Sequence, residues 1–167
     1  MMLEKIFAIS AMLFSLTAVA MKKNWHIFAL SAIANLLTCC SFFVLGGAVN
    51  GMIISLVGGI QCITATVYAI KDKSFSLKVK ICFFVLYTTC GIMNIKAVYD
   101  ILPLIASMLC MMALFQKNTQ RVRLFNVFNS LTWIAYDSIV GSTAVYSQLL
   151  FCVMNLTMMI KYRKQII

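Results

Sequence analysis

Seven apolar runs, roughly 6–21, 25–45, 50–70, 79–95, 100–116, 122–140 and 143–160, follow one another along the chain, cut apart by Lys, Arg, Asp or Gly. Each approaches the ~17 to 25 residues that a helix needs to cross the hydrocarbon of a bilayer. In that hydrocarbon a single segment satisfies its own backbone hydrogen bonds only as a helix. Composition agrees: 63% of the 167 residues are hydrophobic, 11% are charged and the mean hydropathy is +0.98, more apolar surface than one soluble core can hide. The expected fold class is an all-α membrane protein with seven transmembrane helices.

The cations orient it. With the N-terminus outside, the inward loops hold Lys22, Lys23, Lys71, Lys73, Lys78, Lys80, Lys117, Arg121, Arg123, Lys161, Arg163 and Lys164, leaving Lys5 and Lys96 outside. That bias predicts N-out/C-in. The formal net charge of +10 therefore does not point to nucleic acid, because the cations alternate between loops, where they anchor helices and meet lipid phosphates. The lipid bilayer is the expected partner, with no nucleic acid.

Residues 1–23 resemble a signal peptide, with Lys5, an apolar run and Ala18-Val19-Ala20, but Lys22 and Lys23 directly after the run favour a retained N-out helix. The seven cysteines all fall inside predicted spans and include no CxxC pair, which suits reduced packing residues. Adjacent Cys39 and Cys40, in the outer part of the second helix, leave a quinone-linked thiol oxidase as a minor alternative.

The chain also repeats itself. Residues 117–162 lie without a gap on residues 23–68 at an offset of 94, with identities at Lys23/Lys117, Asn24/Asn118, Leu30/Leu124, Asn35/Asn129, Leu37/Leu131, Thr38/Thr132, Gly47/Gly141, Leu56/Leu150 and Tyr68/Tyr162. A fixed offset marks a duplicated supersecondary unit. The fourth helix has no counterpart, which gives a 3+1+3 arrangement: a three-helix bundle over 1–72, a loop and linker helix over 73–99, and a second three-helix bundle over 100–167. The two bundles run parallel.

Polar residues inside the spans are the candidates for function. Gly51, Ser55 and Gly59 make a small-residue stripe on the third helix that lets a neighbour approach closely, and Gln61 lies about 200° from Gly59, away from that seam. Asp100 opens the fifth helix. Pro103, the single proline, suits the first turn, with a functional hinge as the alternative. On the sixth helix Asn126, Asn129, Trp133, Tyr136 and Asp137 recur every three or four residues as one polar and aromatic stripe. The seventh answers with Gln148, Cys152, Asn155 and Tyr162. Across the duplication Asn155 lies on Gln61 and Trp133 on Cys39. An amide unpaired in hydrocarbon costs roughly 2 to 7 kcal/mol, so these groups either glue helices together or line a cavity. Asp137 sits near the outer end of its helix and either reaches the interface or serves as a proton site.

The architecture, the NxxT element shared by Asn35–Thr38 and Asn129–Thr132, and the segment NSLTWIAYDSIVG resemble the SWEET and SemiSWEET (PQ-loop) transporters and, within that superfamily, the YgjV-type bacterial inner-membrane proteins. The resemblance implies a multi-pass protein of the bacterial inner (plasma) membrane with a solute site between the bundles near midplane. Carried over, Cys39 and Trp133 take the place of the pocket residue on the second helix of each bundle, Gln61 and Asn155 that of the asparagine on the third, with Tyr136 as a rival for Trp133 and Asn129 beside them. The proline-glutamine pair is absent: Pro103 precedes Leu104, and Ile9 stands at the equivalent place.

These readings predict a SWEET-like facilitator or transporter of a small neutral polar, sugar-like solute, held by Asn155, Gln61, Trp133, Cys39, Tyr136 and Asn129. The alternative is a non-transporting scaffold or sensor whose centre is filled by its own side chains. A homo-oligomer is left open. No enzyme, metal or cofactor is expected: His26 is the single histidine, there is no paired carboxylate and no GxSxG, and the seventh helix has no internal lysine for retinal.

Overall fold

A computed structural model describes residues 2–21, 23–46, 48–73, 75–114 and 119–161. Lys22, Gly47, Lys117, Asn118, Tyr162, Arg163 and Lys164, used above in the repeat and the cation pattern, lie outside the described residues. The described chain is all-helical: α1 (Met2–Ala20), α2 (Asn24–Leu45), α3 (Val49–Ile70), α4 (Leu77–Met93), a 3₁₀ turn (Val98–Asp100), α5 (Ile101–Leu114), α6 (Thr119–Val140) and α7 (Ala144–Lys161). Each apolar run becomes a helix. By length and apolarity α1, Trp25–Leu45 of α2, α3 and α7 are able to cross a membrane. Helix α6 is equally long at 22 residues but carries the polar stripe, and the apolar stretch Val98–Leu114 is shorter.

Local chemistry sets the boundaries. Ser76 caps α4 by accepting from the Val79 amide at 3.4 Å. Asp100 works differently from a simple cap of α5: its carboxylate reaches back to the Lys96 and Ala97 amides, both at 2.9 Å, and folds the 3₁₀ turn ahead of the helix. Pro103 is fully buried in the first turn of α5, where its missing N–H leaves no gap.

Helices α2 and α6 are both 22 residues long, and the offset of 94 carries α2 onto 118–139, one residue short of α6. That slip moves the turn glycine. The sequence pairs Gly47 with Gly141, whereas the positive φ falls on Gly46 (+69°) and Gly141 (+71°), each directly after its helix. At Gly141 the Ser142 amide donates back to the Asp137 carbonyl at 2.9 Å, a Schellman closure that needs the left-handed residue between them.

Helix α1 packs on α2 and α7, α2 on α3, α3 on α5, α5 on α6, and α6 on α7. Six helices therefore form a closed ring. Helix α4 lies outside it, against α3 and α5. Small residues make the inner contacts: Ala8, Ala11 and Ala18 of α1 and Ala32 and Ala34 of α2 are buried. Gly59 performs the role expected of the stripe, since a Cβ there would stand 3.0 Å from Leu36 Cδ2 and 3.7 Å from the Ala32 carbonyl of α2. The outside is apolar on every helix, with Leu13, Phe43, Ile63, Val85, Ile105, Leu131 and Val153 exposed, as a lipid-facing surface requires.

Candidate functional site

The ring encloses a cavity of about 860 Å³. It runs to the end of the bundle formed by the last turns of α1 and α7 and the first turns of α2 and α6, where Met21, Ile27, Gln120, Arg123 and Met158 line it. Its walls are rich in amides and hydroxyls: Asn35 and Thr38 from α2, Ser55 from α3, Asn126 and Asn129 from α6, Gln148 and Asn155 from α7. Arg123 is the one lysine, arginine, aspartate or glutamate among the described residues of the lining.

At the far end an aromatic plug closes the space. Trp133 lines the cavity and stacks on Phe42, with ring centres 5.9 Å apart and planes 22° apart. Tyr136 meets both rings edge-on at 5.8 and 5.9 Å and is fully buried. Phe42 and Tyr136 occupy equivalent positions of the duplication. The Tyr136 hydroxyl accepts from the Gly51 amide at 3.2 Å, an approach only glycine allows: a Cβ on Gly51 would stand 2.7 Å from Tyr136 Cε1. The first glycine of the stripe thus admits a ring, whereas the last admits a backbone.

Of the six residues singled out in the sequence, the structure brings Asn129, Trp133 and Asn155 to the cavity. The Asn155 amide also donates to the Phe151 carbonyl of its own helix at 2.8 Å, and the Asn129 carbonyl oxygen has no hydrogen-bond partner among the described residues. Tyr136 lies behind Trp133 in the plug. Gln61 is buried outside the lining, where its Oε1 accepts from the Tyr87 hydroxyl of α4 at 2.7 Å, and Cys39 is half-buried and also outside it.

Asn35 and Thr38, which the sequence reading used as markers of the repeat, take those places on the wall. Asn35 donates to the Ser31 carbonyl at 2.8 Å and, more loosely, to Cys62 Sγ at 3.8 Å. The signal was present, since Asn35 and Asn129 are identical across the duplication. Equivalent asparagines on α2 and α6 thus face one cavity from opposite halves of the ring.

The two ends of the ring differ in their ties. At the plug end Glu4 of α1 is buried and accepts from Thr143 Oγ1 at 2.7 Å, the Thr143 amide at 3.1 Å and Ser41 Oγ at 3.3 Å. Asp137 is 1% exposed, and neither of its carboxyl oxygens has a hydrogen-bond partner among the described residues. On the other side of the ring Asn50 Nδ2 donates to the Asp100 carbonyl at 2.5 Å. No group of three His, Cys, Asp or Glu able to hold a metal occurs among the described residues.

No curated protein and no solved structure matches the chain. Residues 2–166 match the Imp-YgjV family, described as bacterial inner membrane protein. With nearly the whole chain covered and apolar helices long enough to cross a bilayer, the protein belongs to this family of bacterial inner membrane proteins.

Proposed function

We propose that the chain is a SWEET-like facilitator or transporter of a small, neutral, polar solute, sugar-like in its hydroxyls. On this reading it crosses the inner membrane seven times in a 3+1+3 arrangement, N-out/C-in, and is not an enzyme. The observation that carries it is the central cavity of about 860 Å³, walled by amides and hydroxyls from both halves and closed at one end by stacked rings. Its volume lies in the range of small-molecule sites, roughly 300 to 1,000 Å³. With this orientation the lining reaches the cytoplasmic end and the Phe42–Trp133–Tyr136 plug faces outward, as in an inward-facing carrier.

The lining fits a neutral solute. Amides and hydroxyls donate and accept in turn, Trp133 offers a face for the apolar side of a sugar ring, and no acidic side chain lines the described cavity to hold a cation. Each hydrogen bond contributes about 0.5–1.5 kcal/mol net, so binding is weak, as release into the cytoplasm requires. The scaffold alternative needs a filled centre with Trp133 packed on Gln61. Against it stand the cavity and the packing of Trp133 on Phe42.

Uptake of radiolabelled hexoses, disaccharides and polyols into proteoliposomes tests the reading. At least one is expected to enter faster than into empty liposomes, and to slow in Asn129→Ala and Asn155→Ala. Equal entry of all of them with and without protein leaves the scaffold.

A further inference from the structure

The carrier reading leaves one polar cluster unused, the carboxyl pair at the plug end where α1 meets α7. Glu4 collects three donors from two other places in the ring, Ser41 near the end of α2 and Thr143 in the turn before α7. One carboxyl group therefore ties α1, α2 and the α6–α7 turn together. Asp137, in the last turn of α6, is as deeply buried and receives no hydrogen bond on its carboxyl group among the described residues. The same turn is anchored on it through the Ser142 amide and the Asp137 carbonyl.

Charge cannot be distributed equally over such a pair. Three donors suit an ionised Glu4. A second carboxylate on Asp137, at the other end of the same turn, would have nothing donating to it, in an interior where an unpaired charge costs several kcal/mol. A carboxyl that keeps its proton on Asp137 avoids that cost. A groove of about 300 Å³ between α1 and α7 lies alongside; Lys5, Thr143, Tyr146 and Ser147 line it, so it reaches Thr143, the partner of Glu4, and Ser147 also lines the central cavity. The equivalent seam between α3 and α5 is tied by Asn50 and the Asp100 carbonyl, which do not titrate, and α4 packs against both helices there.

We propose that Glu4 and Asp137 form a two-carboxyl proton site that latches the α1/α7 seam, and that a proton taken onto Glu4 releases the latch. A neutral Glu4 no longer holds the Thr143 amide and the two hydroxyls by charge, so the α6–α7 turn is freed from α1. The latch opens one seam only. Toward this end of the surrounding elements the other titratable or charged groups are Lys5 on α1, Cys39 and Cys40 on α2, Tyr136 on α6, Tyr146 on α7, and Tyr99 and Asp100 of the 3₁₀ turn, the last already holding two amides. That the seam is a transport gate rests on the carrier reading, whereas the proton site does not.

The test uses the full chain in lipid nanodiscs with no solute. Infrared spectra at neutral pH are expected to show a protonated-carboxyl band that Asp137→Asn removes. Hydrogen exchange of amides 142–147, corrected for its intrinsic pH dependence, is expected to quicken about tenfold or more on acidification, the factor that loss of a charge-assisted bond produces. Glu4→Gln should exchange fast at both pH values, and Thr143→Val, which keeps both carboxyl groups, should be intermediate. Asn50→Ala should loosen the α3/α5 seam equally at both pH values. The proposal is overturned if the band survives Asp137→Asn, if exchange in Glu4→Gln and Thr143→Val follows the wild-type pH profile, or if sodium at fixed pH reproduces the release. A protein that takes up no sugar but shows both signatures refutes the carrier reading and keeps the proton site.

Discussion

Gln61 and Asn155 hold the same place in the two halves and do different work. Gln61 is turned to Tyr87 of α4 and serves as interhelical glue, whereas Asn155 faces the cavity. What differs is what lies outside them. Helix α4 packs on α3, and its Tyr87 both supplies a partner for Gln61 and joins the cavity wall in its stead; among the described residues α7 has no such outer helix. Two positions that align at the offset of 94 thus differ in role because α4 covers one of them. Asn35 and Asn129 instead keep the symmetry, since their helices both line the ring's interior.

The largest effect should come where the halves touch. Phe42 and Tyr136 are equivalent residues in edge-to-face contact, so truncating either tests whether both halves close the plug equally. Removal of a buried ring costs about 3–5 kcal/mol. Tyr136→Ala should exceed Phe42→Ala by about 0.5–1.5 kcal/mol, because the Gly51 amide also loses its acceptor. Chemical unfolding followed by Trp133 fluorescence measures both, and a larger cost for Phe42→Ala would show that the tyrosine contact is not the principal seal.

Gly51→Ala comes next. Its counterpart is Val145, so a side chain is tolerated at this position in one half and excluded in the other by Tyr136, at 2.7 Å from the new Cβ. Overpacking of this kind costs about 1–3 kcal/mol. Combined with Tyr136→Leu the penalty should shrink. A purely additive double mutant would place the glycine requirement elsewhere.

Much of this was legible in the sequence, for physical reasons. Hydrophobic runs have no stable form in a bilayer other than helices, so all seven were readable to within a few residues. The α6 stripe was readable because polar groups at helical spacing must share a face. Gln61 and Cys39 were placed by analogy between the halves, and the structure sets both outside the cavity lining, Gln61 because Tyr87 of α4 takes its amide: no periodicity in α3 reveals which neighbour will cover it. Asn35 escaped for the opposite reason, since an identity used to establish a repeat was not also weighed as a wall residue. Glu4 was invisible because its donors, Ser41 and Thr143, come from positions 37 and 139 residues away.

Tyr87→Phe and Asn155→Ala sharpen the division between glue and site. Tyr87→Phe leaves the buried Gln61 oxygen without its donor and should destabilise by about 1–3 kcal/mol, with solute affinity nearly unchanged. Asn155→Ala should do the reverse, costing about 1 kcal/mol or less in stability because its bond to Phe151 only doubles up on a helical carbonyl. Unfolding midpoints and uptake rates measured on the same preparations separate the two.

The smallest effect is expected between the two asparagines that keep the symmetry, and it bears most directly on the solute. Asn35 already spends its amide hydrogens on Ser31 and Cys62, while the Asn129 oxygen is buried without a partner among the described residues. A bound hydroxyl that draws the Asn129 amide toward the cavity therefore gives that oxygen a partner, whereas at Asn35 it competes with existing bonds. Asn129→Ala should weaken solute binding by about 0.5–1.5 kcal/mol, a factor of roughly 2 to 12, and Asn35→Ala by less. The comparison is made by measuring uptake at a series of solute concentrations, so that a change in apparent affinity is distinguished from a change in the amount of folded carrier. Equal losses would mean that the solute sits on the axis of the duplication and meets both halves alike. A greater loss at Asn129 places it against α6, beside Trp133, where the second half differs most from the first.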